Sequence, residues 1–189
     1  MKSLTAVAML GLALTFCNLS QRLANRNNNH APVKTVQPAA PAFGKHYDGN
    51  VDDLFPKKVL DYSLVFTIDP RKFGLSVPEG TEVRGGVYRS HKNEIVKHML
   101  VNFGSIAEAA RNLQIFLRDA RKQNAGLAPE PVRDNSGNQI GERFAFSDAE
   151  NNLFWTNGSL FVVVKSKSKD TVDKFAQALP YYVELQPAK

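Results

Sequence analysis

Four histidines, a single cysteine and two carboxylate pairs are the residues of this chain best suited to chemistry. His30 and His46 fall in an Asn-, Ala- and Pro-rich stretch, His91 in a turn and His98 in the middle of a strand pattern. A zinc site needs several His or Cys ligands at recurring spacing, with a further ligand close by. No such spacing occurs, so neither a metal nor a cofactor is expected. His98 reads instead as a half-buried strand residue, whose replacement by alanine would leave stability nearly unchanged. Asp52-Asp53 and Asp148/Glu150 bring carboxylates together in predicted turns. Two neighbouring acids become a general acid and base only when a cleft sets them around a substrate. The Gly-x-Ser-x-Gly elbow, the P-loop and the dinucleotide fingerprint are absent from the sequence. Arg84-Gly-Gly-Val-Tyr-Arg-Ser90 is glycine-rich but lacks the Lys-Ser/Thr and following helix of a phosphate cradle. Asp134-Asn-Ser-Gly-Asn138 has part of a calcium loop without its spaced acids and closing Glu, and reads as a turn. No catalytic residue is therefore assigned.

Cys17 belongs to a different chemistry. It follows Lys2 and an uncharged run from Leu4 to Phe16, 13 residues long. That length suits the apolar region of a signal peptide. It falls short of the ~20 apolar residues that cross a bilayer. The leader's end resembles a bacterial lipoprotein signal in Leu14, Thr15 and Cys17, and departs from it in Phe16, where a small residue is the rule. Thr15 and Cys17 also supply the small residues that ordinary cleavage after Cys17 needs. Two outcomes stand open: a mature chain starting at Asn18, or a lipid anchor on Cys17. In either case the protein is expected outside the cytoplasm: periplasmic, secreted or membrane-anchored. With one cysteine no internal disulfide can form, so an apolar core must hold the fold.

Charge and composition divide the chain. The net charge is +6, and residues 1–50 carry Lys2, Arg22, Arg26, Lys34 and Lys45 against Asp48, five basic groups to one acidic, so +4 of it precedes the folded part. A nucleic-acid reader carries its basic stripe on the folded domain, so no nucleic-acid partner is expected. Residues 18–50 are rich in Asn, then in Ala and Pro. Such a stretch buries too little to offset the entropy of ordering and reads as a disordered tether. The expected organisation is a signal peptide over 1–17, a tether over 18–50 and one domain over 51–189, the last folding without the tether.

Within the domain the elements follow from periodicity. Residues 51–60 read as a lead-in turn. Tyr62, Leu64, Phe66 and Ile68 alternate as a strand, as do Phe73, Leu75 and Val77, and Glu82–Ser90 reads as a strand with a Gly85-Gly86 pair. Ile95, Met99, Val101 and Phe103 share a strand face with Lys97, which places part of that face near an edge or solvent. Ser105 and Glu108 have the spacing of a capping box. Ile106, Ala109, Ala110, Leu113, Phe116, Leu117 and Ala120 then trace one helical face, and Gly126 is a plausible stop. Arg111, Arg118 and Lys122 gather on the outer side of that helix, as a solvated face or as an anion-binding strip. Residues 126–142 read as a loop and Arg143–Asp148 as a short strand. Asn157-Gly158 predicts a two-residue hairpin turn pairing Thr156 with Ser159, Trp155 with Leu160 and Phe154 with Phe161. Leu153, Trp155, Leu160 and Val162 lie on one face and Phe154, Phe161 and Val163 on the other, so these strands should be central and covered on both sides. A helix from Asp170 buries Val172, Phe175, Ala176 and Leu179 and ends at Pro180, and residues 181–186 suggest a last strand.

The fold class is α+β: an antiparallel sheet with two amphipathic helices packed on one face. "FWTNGSLFVVV" followed by "FAQALP" is similar to the end of exported bacterial domains of unknown function, which close on a Trp-x-x-Gly hairpin, an apolar strand and an Ala-Leu-Pro helix. The likeness covers about the last third of the chain and its motifs are structural, so it implies no catalytic residue. The leading expectation is a non-enzymatic module of the cell envelope that binds a protein or envelope component, meeting the membrane only through a lipid on Cys17. The alternatives are a carrier of an apolar ligand between sheet and helices, and an enzyme whose site is built from scattered loops.

Overall fold

The computed structural model describes residues 44–73, 77–123, 128, 130–133, 137, 139–147 and 150–181. Cys17, the leader and the tether up to residue 43 lie outside the described residues, as do the calcium-like stretch apart from Gly137 and the suggested strand after Tyr181. Eight strands form one sheet: β1 (Lys58–Val59), β2 (Tyr62–Ile68), β3 (Glu82–Arg89), β4 (Ile95–Asn102), β5 (Glu130–Arg133), β6 (Gln139–Ser147), β7 (Asn151–Asn157) and β8 (Leu160–Ser166). Their spatial order is β1-β2-β3-β4-β8-β7-β6-β5, every pair antiparallel. Helix α1 (Ile106–Gln123) follows β4 and helix α2 (Lys169–Gln177) follows β8. The described residues thus form two four-stranded meanders, each ending in a helix, joined where β4 pairs with β8. The α+β class and the antiparallel sheet agree with the sequence reading.

The two helices do not share a face. Ala109, Leu113, Phe116 and Leu117 of α1 pack with Val101, Phe154, Phe161 and Val163. Val172, Phe175 and Ala176 of α2, with Leu179 beyond it, pack with Leu100, Leu153, Trp155, Leu160, Val162 and Val164. Strand alternation puts these two sets on opposite sides of the sheet. The physical reason is the double apolarity of β7 and β8. Had both helices packed beside Trp155, the rings of Phe154 and Phe161 would have lacked a helical cover. Each such ring contributes ~1.5–3 kcal/mol when buried. Within the α1 stripe Ile106 is 46% exposed, so the covered face begins at Ala109.

Local caps follow the sequence. Ser105 Oγ accepts the Glu108 N–H at 3.1 Å, and Ser168 Oγ accepts the Thr171 N–H at 3.2 Å. Three other elements differ from expectation. Phe73 ends a 3-10 turn over Pro70–Phe73 rather than opening a strand. The stretch read as a loop before Arg143 holds all of β5 and the start of β6, with Pro131 opposite Glu142. Proline is tolerated there because β5 is an edge strand. The hairpin turn is Gly158-Ser159, so Asn157 pairs with Leu160, Thr156 with Phe161, Trp155 with Val162 and Phe154 with Val163. Each residue of β7 thus meets the residue two places beyond its expected partner, a shift that leaves every side chain on the expected face.

The folded unit also reaches upstream of Val51. Residues 44–50 lie across the end of the sheet, where Gly44, Lys45 and Tyr47 hydrogen-bond to the β7–β8 turn. Periodicity begins only at residue 51, whereas this upstream segment is held by polar contacts that periodicity does not register.

Candidate functional site

The residues singled out for chemistry do not converge. Arg111 lies on the exposed side of α1 and pairs with Glu108 at 3.2 Å. Arg118 and Lys122 are exposed further along the same helix. The three spread over about 16 Å of helix axis at 1.5 Å per residue, which makes a line of cations rather than a pocket. Asp52 pairs with Arg84, whose Nη2 reaches its Oδ2 at 2.8 Å. His91 stands 3.4 Å from Asp61 in an exposed turn.

His98 is sealed in the core, not half-buried. Phe55, Tyr88, Phe175 and Tyr181 surround its ring, and the Tyr181 hydroxyl lies 2.8 Å from Nε2. The same hydroxyl reaches the Leu54 carbonyl at 3.3 Å. Burial pushes the imidazole pKa down to about 3, so the ring is neutral, and burial raises those of Tyr88 and Tyr181. Arg89 belongs to the opposite face, since His98 pairs with Gly86, three places before it on β3. The two therefore share no cleft.

Lys97, expected near solvent, is 7% exposed. Its Nζ lies 3.1 Å from a Glu150 oxygen, and Lys165, its cross-strand neighbour, lies 3.6 Å from the other. Glu150, read as a turn carboxylate, thus serves as a half-buried counter-charge to two buried lysines. Between α2 and β6–β7 a half-open cavity of about 210 Å³ is lined by Ala145, Asn151, Asn152, Leu153, Lys169, Val172 and Asp173. It is smaller than the ~300–1,000 Å³ typical of ligand pockets. Among the described residues no helix is long and apolar enough to cross a membrane, and no cluster of three or more His, Cys, Asp or Glu is placed to hold a metal.

The polar groups that do converge lie at the β7–β8 turn. Asn157 and Ser159 flank Gly158, and Asn102 ends β4 beside them; all three polar side chains are buried. Asn157 Oδ1 accepts the Gly44 N–H at 2.8 Å while its Nδ2 donates to the Tyr181 carbonyl at 3.2 Å. Trp155 Nε1 donates to that same carbonyl at 3.4 Å. Ser159 Oγ accepts the Tyr47 N–H at 3.0 Å, and the Ser159 N–H donates to the Lys45 carbonyl at 3.4 Å. Asn102 Nδ2 donates to the Tyr47 carbonyl at 2.9 Å. Burial, then the charges of Asp53 and Glu82, raise the Tyr47 pKa and keep it a neutral phenol. Sequence reading passed over this cluster because Asn-Gly is a strong turn signal. The clue it left was Asn102 and Asn157 at strand ends beside apolar runs, with Ser159 in the turn between, since a buried amide needs partners.

No protein-family model matches the chain, and no curated protein matches it. Among solved structures it is similar to a GTP binding regulator from Thermotoga maritima, with 16% identity and a TM-score of 0.39 over 68% of this chain and 83% of that one. A likeness that shallow says nothing of what this chain binds.

Proposed function

We propose that the protein is a non-enzymatic interaction module, exported from the cytoplasm and presented from the cell envelope on its N-terminal tether. Export rests on the leader and on Cys17, which is lost with the leader or carries a lipid. The observation that carries the module reading is the docking of residues 44–47 on the end of the sheet by four hydrogen bonds. A tether that docks there before any partner binds presents the domain in a defined orientation. His98 offers no centre for a loop-built enzyme, because it is neutral, enclosed by aromatic rings and on the sheet face opposite Arg89. The experiment is fractionation of the native host with intact-mass measurement. A chain starting at Asn18 outside the cytoplasm, or lipid-modified at Cys17 in the membrane, supports export, and a cytoplasmic protein retaining Met1 overturns it. Photo-crosslinkers placed across the exposed surface test the module itself, which predicts a saturable adduct with one envelope component at one patch.

A further inference from the structure

We infer that Asn102, Asn157, Gly158 and Ser159 form a groove for a short peptide backbone, occupied in cis by residues 44–47 until a segment of a partner polypeptide with the same turn takes their place. This rests on the module reading and assigns it a site. The contacts to the occupying segment are made to its main chain. The Gly44 N–H, Lys45 C=O, Tyr47 N–H and Tyr47 C=O are met in turn by an acceptor, a donor, an acceptor and a donor. Lys45 and His46 are exposed, and Tyr47 is half-buried at the margin of the core. Hydrogen bonds to main-chain N–H and C=O groups hold a peptide whatever its sequence, and a pocket for an occasional side chain adds the selectivity.

The groove is built independently of its occupant. Asn157 Nδ2 is fixed on the Tyr181 carbonyl, the Ser159 carbonyl accepts from Phe103 N–H at 3.0 Å, and Asn102 Oδ1 accepts from Gly104 N–H at 3.2 Å. These bonds persist when residues 44–47 leave, so Asn157 Oδ1, Ser159 Oγ and N–H, and Asn102 Nδ2 stay aimed at the vacated path. Gly158 supplies the clearance, because a Cβ there would overlap the Lys45 carbonyl. The occupant itself is lightly held: Lys45, His46, Asp48, Gly49 and Asn50 are exposed. Gly44 has φ +68, so the partner segment needs glycine at that place and an aromatic residue three positions later.

The test uses the full chain carrying Gly44→Pro and Tyr47→Ala, which loosen the occupying segment and leave every groove residue intact. The probe is a fluorescein-labelled peptide of residues 41–50, with the same peptide carrying both substitutions as control. Trypsin cleavage after Lys45 reports separately whether the segment has lifted. The expected result is faster cleavage after Lys45 together with at least about tenfold tighter binding of the native-sequence peptide than of the control; unsubstituted protein should bind both weakly. Lifting without that preference overturns the groove. Unchanged cleavage at Lys45 overturns it too, since the backbone contacts then do not hold the segment. Either failure leaves the module reading to its own fractionation and crosslinking tests.

Discussion

The side-chain oxygen of Asn157 accepts the Gly44 N–H at 2.8 Å across 113 positions of sequence. Through its other amide atom Asn157 also holds the Tyr181 carbonyl, so one side chain ties the start of the described chain to its end. Shortening the protein to begin at Gly44 should leave its melting temperature unchanged. Beginning at Val51 should cost about 1–3 kcal/mol, a few net hydrogen bonds at ~0.5–1.5 kcal/mol each. Equal melting of the two shortened chains would show that residues 44–50 add nothing to stability.

Gly158 meets two demands, a φ of +57 and the Lys45 backbone lying against it. Gly158→Val violates both. It should destabilise by about 1–3 kcal/mol from the backbone conformation alone. It should also open the Lys45–His46 bond to trypsin under native conditions. A melt that drops while Lys45 stays protected would mean that the docked segment tolerates the new side chain by shifting.

What was legible in the sequence had a short period. The alternation of Leu153–Thr156 and Leu160–Val163 fixed which side chains share a face, and that assignment survives a register error because the error is two residues. The sides taken by the helices were not legible. An amphipathic stripe such as Leu113–Leu117 says that a helix has a covered face, not which side of a doubly apolar sheet covers it. Long-range polar contacts were also out of reach: neither Gly44–Asn157 nor Lys97–Glu150 leaves a local pattern. Pro131 hid β5, since proline argues against a strand everywhere except at an edge.

Trp155 is 1% exposed, between α2 and the sheet, with its indole N–H on the Tyr181 carbonyl. Trp155→Ala should cost ~3–5 kcal/mol, as large-to-small core changes do. The folded protein should emit as a buried indole with a blue-shifted maximum. Emission at the wavelength of free tryptophan would place the ring in water and contradict the core described above.

His98 makes acid stability predictable in sign. Its folded pKa of about 3 lies below the ordinary value of ~6.5. Above that ordinary value both states are neutral and His98 adds no pH dependence. As pH falls below it, the unfolded chain binds a proton that the folded chain refuses until about pH 3, so stability drops by up to ~1.4 kcal/mol per pH unit across the window. His98→Phe removes the effect, so the stability difference between the two proteins should shift in the variant's favour from about pH 7 to about pH 4. Parallel curves over that range would refute a buried neutral imidazole. At neutral pH His98→Ala should cost about 2–5 kcal/mol, the range for truncating a packed side chain.

Lys97 and Lys165 face each other on β4 and β8, where like charges repel. Glu150 approaches both, and the three side chains are 7%, 4% and 11% exposed. Glu150→Gln preserves shape and removes the charge that reconciles the two ammonium groups. Its cost should approach the ~3–5 kcal/mol of a broken buried pair. Lys165→Met keeps the 3.1 Å contact between Lys97 and Glu150 and most of the chain's length, so it should cost clearly less. Combining the two substitutions should restore part of what Glu150→Gln loses, because the repulsion between the paired Lys97 and Lys165 is then gone. Urea unfolding of the three variants checks the order. If Glu150→Gln is the mildest of them, the cluster is not held by its carboxylate.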